Sequence, residues 1–220
     1  MELLINGVYE NDIVQFLKRE IPDGAVFFDI GANIGSIGLP VVKQKQNIKY
    51  FGFEASPNVF AYLQKNFTQN NIRHFALHNK LVHKDDGETM KFYQSDLYGK
   101  SSLSPTYSNE AVEIESLSID KYCADNNIPC IDWMKVDVQG FELFVFEGMK
   151  KMLQEKRVKN ILFEFEAWAE IEAGVEPGAA KKYIEETGYE LLNLKGKPWI
   201  LDEKNNDTMI LAKPKSLAGG

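Results

Sequence analysis

Five short apolar runs constrain this chain more than any other feature. They are Ala25–Ile30, Ile48–Phe53, Ile72–His78, Ile131–Val138 and Asn160–Phe165, each bounded by turn or helix signals. Near-continuous apolar runs of this length suit strands buried on both faces, as in a parallel sheet. Helical patterns separate several of them. Residues 8–21 read as an opening helix with Tyr9, Ile13, Phe16 and Leu17 on one face, broken by Pro22-Asp23-Gly24. Ser56 is a good N-cap and Pro57 a good first helical residue, followed by an apolar face of Val59, Phe60, Leu63 and Phe67. Phe141, Phe144, Val145, Met149, Met152 and Leu153 form another such face. A third helix starts at Pro177, stops near Gly188 and presents Ala180, Tyr183 and Ile184. Alternating strands and helices predict a doubly wound, mostly parallel, Rossmann-like α/β sheet.

Two segments leave that rhythm. Residues 87–119 hold Met90–Tyr93 and the alternating stretch Ala111–Leu117, and read as an inserted β-hairpin or flap around a Ser/Gly-rich middle. Tyr189–Leu194 and Thr208–Ala212, with Trp199–Leu201 between, read as a closing antiparallel pair that brings the sheet to seven strands. The expected organisation is an N-terminal helical extension (1–24), one catalytic domain (25–213) with the flap at about 87–119, and a loose tail (214–220).

At 220 residues and with 44% apolar residues, the chain can bury a sizeable single core. A net charge of −7 gives no general attraction to phosphate backbones, so nucleic acid is an unlikely partner. Met1–Gly7 has neither a basic start nor a long apolar run, so no signal peptide is expected. No stretch approaches a membrane span, and Cys123 and Cys130 have the wrong spacing for zinc or a redox pair. They read as free thiols of a cytoplasmic protein.

The segment Asp29-Ile30-Gly31-Ala32-Asn33-Ile34-Gly35 ends the first strand and opens a helix. Ligands of such sheets sit at the carboxyl ends of strands. Glycines there bring backbone N–H groups close to a ligand, near a positive helix terminus. A tight turn without ligand explains the glycines equally well on their own. Asn33 stands where the dinucleotide fingerprint requires its second glycine. Glu54, which ends the second strand about 20 residues on, suits the two ribose hydroxyls of an adenosine. Together they favour a nucleoside.

These segments resemble the FkbM-type family of class I S-adenosylmethionine-dependent methyltransferases. The resemblance runs through Asp29–Gly35, Phe53-Glu54-Ala55-Ser56-Pro57, Ser101-Ser102-Leu103 and Ser118-Ile119-Asp120. It peaks at Met134-Lys135-Val136-Asp137-Val138-Gln139-Gly140-Phe141-Glu142, against a family pattern Lys-Ile-Asp-Val-Glu-Gly-x-Glu, and ends at Ile161-Leu162-Phe163-Glu164. It implies S-adenosylmethionine as cofactor. Gly31, Asn33 and Gly35, with Asp29 and Ala32, would line its methionine and ribose end. Glu54, with Ala55, would hold the ribose, and Asn79 to His83 the adenine. Gln139 departs from the family's usual Glu.

Methyl transfer to an alcohol needs alignment, exclusion of water and a group that takes the proton. Asp137, at the end of the fourth strand, is the first candidate, with Glu142 one turn into the next helix as the second. The structural alternative is that Asp137 caps the helix after Gly140 and Glu142 balances the helix dipole. Ser101 and Ser102 in the flap, Gln139 and Glu164 are candidate contacts for the acceptor, a small molecule or a sugar. Trp133 and Trp168 read as core residues, and His74 and His78 as strand residues rather than metal ligands; no metal is expected. The leading expectation is an O-methyltransferase. A nicotinamide-dependent enzyme, disfavoured by Asn33, and a non-catalytic cofactor-binding module, hinted at by Gln139, are the competing ones.

Overall fold

The structure, a computed structural model, describes residues 10–93, 103, 110–200 and 208–215. The chain opens with helix α1 (Asn11–Glu20). Asp12 stands in its first turn and Lys18 and Arg19 in its last, which complements the helix dipole. Then follow β1 (Val26–Ile30), α2 (Gly38–Gln44), β2 (Lys49–Phe53), α3 (Pro57–Gln69), β3 (Phe75–His78) and β4 (Leu81–Val82). The insertion supplies β5 (Thr89–Tyr93) and β6 (Ala111–Leu117). The second half contains α4 (Ile119–Asp125), β7 (Trp133–Val136), α5 (Glu142–Glu147), α6 (Lys150–Gln154) and β8 (Ile161–Glu164). It closes with α7 (Ala167–Glu172), α8 (Ala179–Glu186), β9 (Tyr189–Leu192) and β10 (Met209–Pro214).

Seven strands form one sheet in the order β3-β2-β1-β7-β8-β10-β9. Every pairing among β3, β2, β1, β7 and β8 is parallel, while β10 runs antiparallel to both β8 and β9. This is the expected doubly wound sheet, with the last strand inserted between two earlier ones. Alternation along the strands explains the apolar runs. Phe28, Ile30, Met134, Val136, Ile161 and Phe163 face one core, beneath α4, α5, α6 and α8. Phe27, Tyr50, Trp133 and Leu162 face the other, with α1, α2 and α3. A central strand flanked by two cores has little room for polar residues.

Most local expectations hold. Ser56 Oγ accepts from Val59 N–H at 3.4 Å, and Pro57 opens α3. Ile13, Phe16 and Leu17 are buried on α1, whereas Tyr9 lies outside the described residues. Trp133 packs edge-on against Phe16 in the core. Cys123 and Cys130 are free. Three details differ. The apolar face of 141–153 is carried by two short helices, α5 and α6, because Gly148 packs its backbone onto the His83 carbonyl. The insertion is a three-stranded sheet, β4-β6-β5, since β4 pairs with β6 in parallel. Pro214, placed in the tail by sequence, is the last residue of β10 and pairs with Tyr189.

Candidate active site

The carboxyl ends of β1, β2, β7 and β8 open onto a cavity of about 260 Å³. Its floor is the loop after β1. Gly31 has φ 72°, and a Cβ there would collide with the Asp137 carbonyl oxygen, so the β1 and β7 loops meet only because residue 31 is glycine. Asn33 is also left-handed at φ 51°, and its Oδ1 accepts from Ile34 N–H at 2.7 Å. Asparagine tolerates this conformation because its short side chain bonds the local backbone. Ala32 and Asn33 line the cavity.

Glu54 joins that floor to the next strand. Its Oε2 accepts from Asn33 N–H at 2.9 Å and its Oε1 from Ser56 N–H at 2.8 Å. It is almost fully buried yet lines the cavity. Burial raises its pKa to about 7, against the pull of the two backbone N–H groups and Lys135. Each carboxylate oxygen keeps a second lone pair for a ligand hydroxyl. Ala55, Val59, Leu81, Val82, Phe92 and Leu103 give this end an apolar wall, to which the inserted sheet contributes Phe92. A nucleoside with an apolar base and two ribose hydroxyls fits that combination.

Other sequence candidates sit behind the wall. Asn79 donates to the Glu54 and Ala55 carbonyls at 2.9 Å, so it braces the turn after β2, while Lys80, Leu81 and Val82 line the cavity. His83 is buried against Phe144, its ring stacked at 5.0 Å, and burial lowers its pKa. Gly35 packs against Leu63 and Phe67 of α3. Asp29 lies fully buried below the floor, where Oδ2 accepts from Tyr50 Oη at 2.8 Å. None of these four lines the cavity. Ser101 and Ser102 lie outside the described residues.

Lys135 is the residue that sequence reasoning passed over. It is 3% exposed, and its Nζ donates to the Gly31 carbonyl at 3.0 Å. The same Nζ lies 3.3 Å from Asp29 Oδ1 and 3.5 Å from Asp137 Oδ2. Burial alone would lower its pKa, but the two carboxylates outweigh burial and hold it above the usual lysine range. Asp29 and Lys135 are register partners on β1 and β7. A lysine inside an apolar strand, level with an aspartate in another, is a readable sign of a buried pair.

The opposite wall is acidic. Asp137 lines the cavity with a partly exposed side chain, and its Oδ1 accepts from Gln139 Nε2 at 3.1 Å. Gln139, Phe141, Glu164, Glu166 and Glu10 line the same cavity. Burial, then Asp137 and Glu166, raises the Glu164 pKa to about 7, and Thr208 Oγ1 donates to its Oε1 at 3.2 Å. Glu142 does not line the cavity. It is 4% exposed and Oε1 accepts from Val138 N–H at 2.9 Å, so it latches the β7–α5 loop from below. Burial raises its pKa to about 8. Trp168 stands exposed on α7 rather than in the core. Among the described residues no cluster of three or more His, Cys, Asp or Glu is arranged to hold a metal ion. Nor is any described helix long and apolar enough to cross a membrane.

Known proteins share this fold. The chain is 26% identical, over 90% of its length and 78% of the relative's, to a protein of Haloferax volcanii named hexuronic acid methyltransferase AglP. The TehB-like SAM-dependent methyltransferase of Corynebacterium glutamicum superposes with a TM-score of 0.52 at 16% identity, covering 97% of this chain and 93% of that one. SMU.1697c of Streptococcus mutans, solved in complex with SAH, gives a TM-score of 0.52 at 10% identity, covering 92% of this chain and 94% of that one. The fold is that of class I methyltransferases, and S-adenosylmethionine is the cofactor. The methyltransferase FkbM domain matches residues 29–191, from the buried aspartate at the end of β1 to the edge strand β9, and the chain is a methyltransferase belonging to that family.

Proposed function

We propose that the chain methylates a hydroxyl group of a sugar or other small molecule, with Asp137 taking the hydroxyl proton. The observation that carries this reading is the placement of Asp137. It stands at the end of β7, on the cavity wall, between a cation at Oδ2 and an amide donor at Oδ1. When bound, S-adenosylmethionine supplies an electrophilic methyl carbon on a positively charged sulfur. Gly31, Ala32 and Asn33 form the bed for its amino-acid and ribose portion, and Glu54 accepts from the ribose hydroxyls. Leu81, Val82, Phe92 and Leu103 exclude water from the base. Asp137 accepts the proton that the acceptor oxygen loses, and Lys135 balances its charge beforehand.

The sugar class draws support from the name of the Haloferax relative. Glu10, Glu164 and Glu166 share the acceptor end of this cavity. That wall receives a neutral hydroxyl more readily than an anionic sugar. The test is transfer of labelled methyl from S-adenosylmethionine to a panel of neutral sugars, hexuronates and phenols. Neutral sugars should be methylated fastest. Asp137→Asn should lower kcat by about 10²–10⁴-fold, with the Kd for S-adenosylhomocysteine within twofold of wild type. An Asp137→Asn variant with full turnover would remove the proton-accepting role. Methyl found only on nitrogen or sulfur would overturn the hydroxyl acceptor.

A further inference from the structure

Gln139 keeps two features that an ordinary loop glutamine does not need. Its backbone is left-handed, at φ 56°, where an L side chain crowds the following carbonyl. Its side-chain Oε1 is shut off from solvent with no hydrogen-bond partner among the described residues. Buried acceptors are nearly always satisfied, so both features weigh against the fold. The surroundings hold the residue in place regardless. Gly140 follows at φ 95°, pressed so close to the Ala169 carbonyl that a Cβ has no room. On the other side, Val138 N–H is held by Glu142 Oε1. With the backbone pinned at both ends, the Gln139 amide is delivered to Asp137 Oδ1 at 3.1 Å.

We infer that Gln139 is a positioning residue, a neutral strut that fixes Oδ1 of Asp137 so that the carboxylate meets the acceptor hydroxyl in one orientation. This inference rests on the reading of Asp137 as the proton-accepting group. An amide suits the task because it donates without competing for the proton and adds no charge. Asp137 already faces Lys135 two residues back, Glu54 beyond β2, Glu142 on α5 and Glu164 on β8, and it shares Lys135 with Asp29 and Glu10. Lys135 is the cation in that set. A carboxylate at position 139 would stand at the distance where two carboxylates share one proton.

The test compares Gln139→Gly, Gln139→Leu and Gln139→Glu in the full chain. Three readouts apply: thermal midpoint, calorimetric binding of S-adenosylhomocysteine, and the ¹³C titration of the Asp137 carboxyl without cofactor or acceptor. Glycine accepts a positive φ and removes the unpaired carbonyl. Its variant should have an unchanged or higher midpoint and bind S-adenosylhomocysteine within twofold of wild type. Its kcat should drop roughly 10–100-fold, within the range of a misplaced catalytic group. Leucine should lower kcat similarly. In Gln139→Glu the Asp137 titration should move up by about one unit or more, and the acidic limb of the kcat/KM profile should follow it. A less stable glycine variant with unchanged kcat would overturn the proposal, as would an Asp137 titration that superimposes in Gln139→Glu and wild type. Should wild type transfer methyl to no hydroxyl, the functional reading fails, while the midpoint and the titration still decide what Gln139 does.

Discussion

The two ends of the cavity are built from different materials. At the end proposed for the cofactor, shape comes from the backbone: left-handed Gly31 and Asn33, and peptide N–H groups held by Glu54. At the end proposed for the acceptor, shape comes from ionisable side chains placed close enough to disturb one another: Asp137, Glu164, Glu166 and Glu10. Backbone geometry depends on a few residue types at fixed spacing, and Glu54 is the titratable group that ties it together. A carboxylate wall depends on which protons are present and on the cation that anchors it. The first end is therefore suited to holding one constant ligand, and the second to tuning what it accepts.

Lys135 tests the division most severely, because it touches both ends. Lys135→Met leaves Asp29 buried without its cation, and should cost about 3–5 kcal/mol of unfolding free energy by denaturant titration. Adding Asp29→Asn should recover a large part of that loss. A single variant as stable as wild type would show that the pair contributes nothing net. Glu54→Gln strikes the cofactor end alone. Since burial holds the Glu54 pKa at about 7, affinity for S-adenosylhomocysteine should rise between pH 6 and 8 in wild type as the carboxylate forms. The variant should bind about tenfold more weakly at pH 8, the size of one charge-assisted hydrogen bond, and its affinity should be flat across that range. A pH dependence that survives the substitution would move its origin to the acceptor wall.

The smallest effect belongs to the latch beneath the acceptor end. The folded-state pKa of Glu142 is raised from 4.5 to about 8, and those of Glu54 and Glu164 to about 7. Between these values and 4.5 the folded chain holds more protons than the unfolded one. Stability therefore falls as pH rises through this window. The thermal midpoint should drop between pH 5 and pH 8. Glu142→Gln keeps an acceptor for Val138 N–H, and should lift the midpoint at pH 8 by about 2–4 °C while leaving pH 5 nearly unchanged. A midpoint that climbs from pH 5 to pH 8 in wild type would contradict the buried, proton-holding latch.

The same division explains what could be read from the sequence. The five parallel strands, the Ser56 cap, the glycine turn after β1 and the acidic residue after β2 all follow from local patterns and stand at those positions, whereas the strand order comes only from tertiary pairing. Lys135 escaped because a single lysine in an apolar run acquires meaning only once β1 and β7 are aligned and Asp29 stands beside it. Asn79 and His83 flank the cavity-lining residues instead of joining them. The reason is β4, a two-residue strand too short to show any period, which points Leu81 and Val82 inward. Glu142 shares a loop with Asp137, and linear proximity could not tell a wall residue from one that ties the loop down.

The place of β10 has a consequence for how the molecule is assembled. It follows the other described strands in the chain, yet it lies between β8 and β9 and is the neighbour to which β9 is bonded. Until it arrives, β8 is an open edge, β9 has no partner in the sheet, and Glu164 lacks the Thr208 hydroxyl. The loop that carries Gly31, Ala32 and Asn33 comes early in the chain, but it is braced by Lys135 and meets Asp137, both of which also precede β10. The wall that carries Glu164 is therefore completed only when β10 docks against β8.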